Sequence, residues 1–301
     1  MSLSTREDTE GRSRRSAGAR WIAAAGLSAM LLGALPAMAG ETTVTLNGGI
    51  AATLNIPDSV KPESAPAPAV LMLHGFGSSR NEVGNLFARQ AEALAARGIA
   101  SLRIDFRGFG KSDGDTGSTT IDSQLEDAKV GLAYLTKVKG IDSARVGVLG
   151  FSLGGGVAML AAADEPQKIK SLATWSSVGD FKADFLASLG QKAFDRAKED
   201  GVVGLDLGWR TIALKQAFFD NLEQHRLDDA IAKYPGAYMA IAGAKDGSAA
   251  YLVKFASLAK GQTKLTHVIP EADHIFNVLG DDQSKAEDVL AKTTDWFART
   301  L

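Results

Sequence analysis

The sequence predicts an α/β fold: a mostly parallel central sheet with helices on both faces and a helical cap inserted late in the chain. Three observations lead to this prediction. Short apolar runs, typical of strands buried on both faces, alternate with stretches at helical spacing. A pattern typical of a β-hairpin precedes them. Between Val178 and Tyr234 the periodicity is helical and charges are frequent, with no pattern of a buried strand.

The predicted elements follow a regular order. Thr43–Leu46 and Ile50–Ile56 alternate apolar and polar residues around Asn47-Gly48-Gly49, which predicts an antiparallel hairpin. The Pro/Ala-rich stretch Lys61–Pro68 is predicted to be a surface connection. Further strands are predicted at Ala69–Leu73, Ile99–Ile104, Arg145–Leu149, Ser171–Trp175, Ala237–Ala242 and Lys264–Ile269. Helices are predicted at Asn81–Arg97, Thr120–Val138, Leu153–Ala163, Ala249–Leu258 and Ser284–Arg299. This alternation builds a parallel sheet, and residues 179–235 are expected to form a cap over the strand ends.

The first 39 residues are expected to be a signal peptide, which leaves residues 40–301 as one α/β domain. Several arginines precede the apolar run Trp21–Leu35, and Ala37-Met38-Ala39 forms a small-x-small cleavage site. These three parts predict export to the periplasm or the medium. The alternative is an N-terminal membrane anchor, although the apolar run is shorter than the roughly 20 residues of a membrane span. Ser13-Arg14-Arg15 leaves twin-arginine export open.

Composition excludes several function classes. The formal net charge is −2 with both signs interspersed, so no electrostatic footprint for nucleic acid is present. The chain has no cysteine, which excludes thiol catalysis, cysteine-ligated zinc and disulfides.

Ser152 is the candidate nucleophile. Gly150-Phe151-Ser152-Leu153-Gly154 fits the pattern G-x-S-x-G, and it lies between the strand predicted at Arg145–Leu149 and the helix predicted from Leu153. A strand–turn–helix setting is what a nucleophile elbow requires, because it exposes the serine hydroxyl at a sharp turn. The alternative is a Gly-rich turn whose serine only caps the helix.

A serine hydroxyl needs a base, and the chain offers four histidines. His74 ends a predicted strand, His225 lies in the cap, and His267 lies inside a predicted strand. His274 follows the last predicted strand, in a loop before the C-terminal helix. The chain order serine, acid, histidine favours it as the general base. Its alternative is an ordinary exposed loop histidine.

Asp246 is the candidate acid, because it follows the predicted strand Ala237–Ala242 directly and should lie at the carboxyl edge of the sheet. There it would hold the His274 tautomer and stabilise the imidazolium. Asp180 is the second candidate. Asp273, next to His274 in sequence, is not expected to reach back to its neighbour. The alternative role for Asp246 is a turn-forming aspartate.

Two backbone amides are expected to bind the oxyanion. One is that of Leu153, the residue after the nucleophile, and the other should come from the loop His74-Gly75-Phe76-Gly77, where Phe76 is our choice. Each such donor is worth about 3 kcal/mol in the transition state. His74 is expected to brace this loop and not to act as the base.

These motifs, together with Asp105-Phe106-Arg107-Gly108-Phe109-Gly110-Lys111-Ser112-Asp113-Gly114, resemble the α/β-hydrolase superfamily. Within it, the chain looks most similar to small bacterial esterases of the cinnamoyl/feruloyl esterase and serine aminopeptidase-like groups. It departs from many such relatives at Phe151, where they carry histidine, and at Gly247-Ser248, where a carboxylate and proline are frequent. The resemblance runs from about Thr43 to the C-terminus.

The resemblance implies a hydrolase without metal or cofactor that forms an acyl-enzyme. It also implies that residues 105–114 shape the loop beside the oxyanion hole and that the cap lines the substrate pocket. We expect a small-molecule ester substrate, short-chain or aryl/feruloyl in type, and neither nucleic-acid binding nor stable membrane association after signal cleavage. A peptidase or thioesterase with the same triad, or a non-catalytic binding protein, are the alternatives. Cap aromatics that could line the pocket or form the cap's own core are Phe181, Phe185, Trp209, Phe218 and Phe219.

Overall fold

The computed structural model describes residues 40–61 and 64–301, so the predicted signal peptide lies outside the described residues. A sheet of eight strands forms the centre of the domain. Its strands are β1 (Glu41–Leu46), β2 (Ile50–Asn55), β3 (Ala67–Leu73), β4 (Ala100–Ile104), β5 (Ile141–Phe151), β6 (Ile169–Trp175), β9 (Ala237–Gly243) and β10 (Lys264–Ile269). A separate two-stranded sheet consists of β7 (Val202–Asp206) and β8 (Thr211–Lys215).

The helices of the described residues are α1 (Leu86–Ala95), α2 (Ile121–Leu135), α3 (Leu153–Asp164), α4 (Phe181–Leu189), α5 (Gln191–Asp200), α6 (Gln216–Asn221), α7 (Leu227–Ile231), α8 (Leu252–Leu258) and α9 (Ser284–Thr300). Short 3₁₀ turns cover Val83–Asn85, Thr116–Ser118 and Gly247–Tyr251. Within the described ranges, none of these helices has both the length and the hydropathy to cross a membrane.

The strand order is β1-β2-β4-β3-β5-β6-β9-β10. β1 with β2 and β2 with β4 pair antiparallel, and every other neighbouring pair in this sheet is parallel. Strands that are continuously apolar, such as β3, can be buried on both faces because helices cover both sides. Along β3, Leu71 and Leu73 pack toward α2 and α3, whereas Val70 and Met72 pack toward α1 and α9. The predicted mostly parallel sheet with helices on both faces is confirmed.

Two predicted elements differ from the structure. The helix predicted over Asn81–Arg97 begins only at Leu86, because Glu82, Gly84 and Asn85 all have positive φ and cannot continue a right-handed helix. The segment between β6 and β9 contains helices as expected, four of them, but it also contains the β7–β8 hairpin, which sequence analysis missed. β8 buries only Ile212 and Leu214, so its alternation is too short to separate from helical spacing.

Candidate active site

Ser152 stands on a sharp turn between β5 and α3, with φ 53° and ψ −118°. This conformation is strained for a residue with a side chain. The turn is possible because Gly150 and Gly154 lack side chains. A Cβ on Gly150 would lie 2.2 Å from the carbonyl oxygen of Gly154, and one on Gly154 would lie 2.1 Å from that of Leu73. The two glycines thus let strand and helix approach closely enough to present the serine hydroxyl.

The structure brings Ser152 and His274 together. His274 Nε2 lies 3.1 Å from Ser152 Oγ, and the His274 side chain is 46% exposed. The histidine is held in a loop between β10 and α9, where Asp273 Oδ1 accepts hydrogen bonds from the amides of Ile275 (3.0 Å) and Asn277 (2.7 Å). Asn277 Oδ1 in turn accepts from the Asp273 amide at 2.9 Å. Asp273 therefore shapes the loop around His274 and does not contact the imidazole as a partner.

Asp246 lies on the other side of the imidazole, with its Oδ2 3.0 Å from His274 Nδ1. It follows β9 and caps the 3₁₀ turn after it, accepting from the Ser248 amide and from the Ser248 hydroxyl. Burial alone would raise the pKa of Asp246, but the hydrogen bonds from His274 and Ser248 and the charge of the imidazole outweigh burial and lower this pKa to about 2. Asp246 is therefore ionised at neutral pH.

The other candidates lie apart from this constellation. Asp180, the second candidate acid, is exposed and caps α4 by accepting from the Ala183 amide at 2.8 Å. His225 lies 2.8 Å from Asp122, and His267 lies 2.9 Å from Asp288. None of these three side chains contacts Ser152.

His74 is buried under the loop that follows β3. Its Nδ1 donates to the Gly75 carbonyl at 2.8 Å, and its Nε2 accepts from the Phe106 amide at 3.0 Å. This pattern requires a neutral ring with its proton on Nδ1. Burial lowers the pKa of His74 to about 4.

The expected oxyanion donors, Phe76 and Leu153, both line the cavity above Ser152. Among the residues that the structure describes, neither backbone amide donates a hydrogen bond. Leu153 opens α3, where the first amides of a helix have no partner inside the helix. Phe76 precedes Gly77, whose carbonyl accepts from Trp209 Nε1 on the β7–β8 turn at 3.4 Å.

The motif Asp105–Gly114 forms a turn held by its own hydrogen bonds. The buried Asp105 carboxylate accepts from the Arg80 amide at 2.6 Å, from the Arg80 guanidinium and from the Lys111 amide at 2.8 Å. Ser112 Oγ donates to the Asp105 carbonyl at 2.6 Å. These contacts hold the turn beside the loop that carries Phe76.

A cavity of about 480 Å³ opens above Ser152. Its lining combines apolar side chains with hydroxyl and carboxyl groups. Tyr251 Oη donates to Asp184 Oδ1 at 2.9 Å, and burial together with this carboxylate raises the pKa of Tyr251 to about 12. Besides the catalytic candidates, the lining residues are Phe76, Leu153, Val178, Phe185, Ala187, Ser176, Ser177, Asp184, Ser188, Gly247, Ser248 and Tyr251.

The cap aromatics proposed for substrate binding, Phe181, Trp209 and Phe218, do not line this cavity. Phe181 and Phe218 are fully buried, Phe181 against Gly156 of α3 and Phe218 between Phe76 and Phe185. Trp209 lies at the tip of the β7–β8 hairpin and is 71% exposed. Of the cap aromatics, only Phe185 reaches the cavity, because helical spacing could not show which side of α4 faces it.

Sequence analysis missed Glu82. Its buried carboxylate accepts a 2.6 Å hydrogen bond from the Gly75 amide, in the loop that carries Phe76. No sequence feature distinguished Glu82, because acidic residues are common near the start of a helix.

Comparison with known proteins identifies the family of this chain. The profile described as serine aminopeptidase, S33, matches residues 64–235, more than half of the chain. The chain belongs to this family. The match includes Ser152 and ends before Asp246 and His274. The α/β-hydrolase assignment made from the sequence is confirmed, and the protein is a hydrolase by family.

Solved structures share the fold of this chain. Est1E from Butyrivibrio proteoclasticus, in a structure with ferulic acid bound, has a TM-score of 0.69 and 24% identity, covering 86% of this chain and 98% of that one. Dienelactone hydrolase from Anabaena variabilis has a TM-score of 0.61 and 19% identity, covering 88% of this chain and 99% of that one. At such identities these likenesses establish the fold.

Among curated relatives, an uncharacterized 31.7 kDa protein of Escherichia coli is 34% identical over 135 residues, which are 45% of this chain and 44% of that protein. Esterase FrsA of Yersinia enterocolitica is 36% identical over 110 residues, 36% of this chain and 25% of the esterase. This S33 family member thus spans less than half the length of each of these relatives.

Proposed function

We propose that this protein is an exported serine hydrolase that cleaves carboxylic esters of short-chain or aryl acids through an acyl-enzyme. The observation that carries the proposal is the continuous contact from Ser152 Oγ to His274 Nε2 and from His274 Nδ1 to Asp246, beside a cavity large enough for a small ester. Nucleophile, base and orienting acid are within hydrogen-bond reach in series, as this chemistry requires.

In the first step, Ser152 Oγ attacks the ester carbonyl carbon while its proton passes to His274 Nε2. The carbonyl oxygen becomes an oxyanion, and the amides of Phe76 and Leu153 stabilise it. The tetrahedral intermediate then collapses, the bond to the alcohol oxygen breaks, and His274 returns the proton to the leaving alcohol. Asp246, ionised through its low pKa of about 2, stabilises the imidazolium in between.

In the second step, a water molecule attacks the acyl-Ser152 carbonyl and gives its proton to His274. The same two amides hold the second oxyanion. Collapse releases the carboxylic acid and returns the proton to Ser152. Both steps use one base and one oxyanion hole, so the nucleophile's turn and the loop after β3 must keep their relative positions throughout.

Ester substrates are favoured by the apolar part of the cavity lining, because Phe76, Leu153 and Phe185 can contact an acyl or aryl group. The relatives support the same class: one is named an esterase, and Est1E holds ferulic acid in its structure. An aryl acid of that size fits a cavity of about 480 Å³.

The family's description as a serine aminopeptidase favours amide cleavage as the second candidate. A matched pair of substrates, an ester and an anilide with the same acyl group, separates the two, and a thioester of that acid extends the comparison. We expect kcat/KM to be highest for the ester. A higher kcat/KM for the anilide would reverse the ranking.

The test of the mechanism is Ser152→Ala, assayed on p-nitrophenyl acetate and butyrate. We expect a loss of about 10³-fold or more in kcat/KM. The matched control is Ser257→Ala, which removes an exposed hydroxyl on α8 and should leave activity unchanged. Full activity in Ser152→Ala would refute the mechanism.

Export is proposed on the sequence of residues 1–39. Expression of the full chain should yield a mature protein that begins at Gly40, outside the cytoplasm. N-terminal sequencing of the fractionated protein checks this. A protein that retains residues 1–39 and stays with the membrane fraction would favour an anchor instead.

A further inference from the structure

The carboxylate of Glu82 lies buried beside the loop that follows β3. The residue is 8% exposed, its Oε1 accepts from the Gly75 amide at 2.6 Å, and its Oε2 accepts from its neighbour's amide, that of Val83, at 2.9 Å. Within residues 40–61 and 64–301, no lysine or arginine forms an ion pair with it. A buried carboxylate is costly unless it is hydrogen-bonded, and two backbone amides compensate this one.

The backbone at Glu82 is strained as well. Its φ of 60° and ψ of 170° fall in a region that is essentially restricted to glycine. Strain of this kind persists where the surroundings determine the conformation, and it is found preferentially at functional sites. Capping the following 3₁₀ turn accounts only for the contact with the Val83 amide. The second carboxylate oxygen, which accepts from Gly75, and the strained backbone indicate a further role.

The hydrogen bond from Gly75 connects Glu82 to the nucleophile. A Cβ on Gly75 would lie 3.0 Å from the ring of Phe151 and 3.3 Å from Ser152 Cβ, so this loop packs directly on the serine. The next residue along the loop is Phe76, whose amide is proposed to bind the oxyanion.

Both peptide groups that flank Gly75 are held in place. The Gly75 carbonyl accepts from His74 Nδ1 at 2.8 Å and from the Ser78 amide at 3.3 Å. In a trans peptide, the amide of Phe76 points opposite to that carbonyl. Glu82 holds the preceding peptide by its amide, so the orientation of the Phe76 N–H is set from both sides.

Resting on the proposed function, we propose that Glu82 is a positioning residue for the oxyanion hole: through the Gly75 amide it orients the Phe76 N–H toward the carbonyl oxygen above Ser152. Burial raises the pKa of Glu82, while the amides of Gly75 and Val83, the Ser78 hydroxyl and the charge of His274 oppose that rise. Both carboxylate oxygens of Glu82 act as acceptors, one for the Gly75 amide and one for the Val83 amide.

Glu82→Gln tests the proposal. Glutamine keeps the size of the side chain but supplies only one acceptor oxygen, so either the Gly75 or the Val83 amide faces an NH₂ group. The readout is kcat per active site, counted by labelling with a fluorophosphonate, so that unfolded molecules do not enter the rate. The matched control is Glu92→Gln, at an exposed position on α1.

We expect Glu82→Gln to lose about 10- to 100-fold in kcat per labelled site, less than the loss on deleting an oxyanion donor, with KM within about threefold. Glu82→Gly provides a second variant, because glycine adopts the observed φ and ψ without strain. It should fold and show at least the same loss. A purely structural residue would lower the number of labelled sites and leave kcat per site unchanged.

A kcat per labelled site within about twofold of wild type in both Glu82 variants would overturn this inference alone. The same fractional loss in Glu92→Gln would also overturn it. Wild-type protein that neither reacts with the fluorophosphonate nor hydrolyses esters would overturn the proposed function, and this inference with it.

Discussion

Protonation of His74 should destabilise the fold. His74 is buried as a neutral ring whose Nε2 accepts from the Phe106 amide at 3.0 Å. A proton on that nitrogen would place two N–H groups against each other and a charge in a site closed to water. Burial accordingly lowers the pKa of His74 to about 4, against 6.5 for an exposed histidine.

The size and the sign of this effect on the free energy of unfolding follow from the difference in the pKa of His74 between the folded and unfolded states. Each tenfold ratio in the protonation equilibrium corresponds to about 1.4 kcal/mol, so protonating His74 in the folded protein costs about 3 kcal/mol more than in the unfolded chain. Below pH 6.5 the unfolded state binds this proton and the folded state does not. The free energy of unfolding therefore falls as pH decreases from 6.5 to 4, and it is unaffected by His74 above that range.

The assay compares urea unfolding of residues 40–301 in wild type and in His74→Gln. Glutamine offers a donor and an acceptor but does not titrate. Between about pH 7.5 and about pH 4.5, the wild type should lose about 2.5 kcal/mol more than the variant. Parallel curves for the two proteins over this range would refute the reasoning. So would an NMR titration of labelled histidine in which the His74 ring is protonated at about pH 6.

Three further predictions concern the elbow, the acid and the base. Gly154→Ala should lower the free energy of unfolding by about 3 kcal/mol or prevent folding, because the new Cβ would meet the carbonyl oxygen of Leu73 at 2.1 Å. Asp246→Asn should lower kcat by about 10⁴-fold. The pKa of Asp246 is about 2 in the folded protein, below that of an unfolded aspartate. The stability that the ionised carboxylate contributes is therefore present above pH 3.8 and is lost as pH falls from 3.8 to 2. Asp273→Ala should lower kcat about tenfold with KM unchanged, because the loop that presents the base loses its internal hydrogen bonds.

Each has a control or a refuting result. The control for Gly154→Ala is Gly204→Ala on β7, where no atom lies within 4 Å of the new Cβ. Its free energy of unfolding should differ from that of the wild type by less than about 0.5 kcal/mol. Equal stability losses at both glycines would contradict the steric argument. Wild-type kcat in Asp246→Asn would exclude it as the acid. For Asp273→Ala, a change confined to KM would assign the loop to substrate binding instead.

Local patterns in the sequence were enough to predict the fold class and to select Ser152, Asp246 and His274. Strand–helix alternation and unbroken apolar runs such as Ala69–Leu73 report burial on both faces, and that burial requires the layered architecture. Chain order then reduced the four histidines to His267 and His274, and the predicted loop position selected His274. These features depend on a few neighbouring residues, so they can be recognised without knowledge of the tertiary contacts.

The tertiary structure alone decided which aromatics face the cavity and which residue supports the loop after β3. Phe185 and Phe218 both lie on cap helices, α4 and α6, yet only Phe185 reaches the cavity, since this depends on how the cap helices pack. In the sequence, Glu82 resembles an ordinary acidic residue in the first turn of a helix. In the structure its φ is positive, the α-helix begins after it, and its carboxylate accepts from the Gly75 amide. Both outcomes depend on contacts between segments distant in sequence or on a backbone angle set by its surroundings. Neither leaves a local pattern in the amino-acid order.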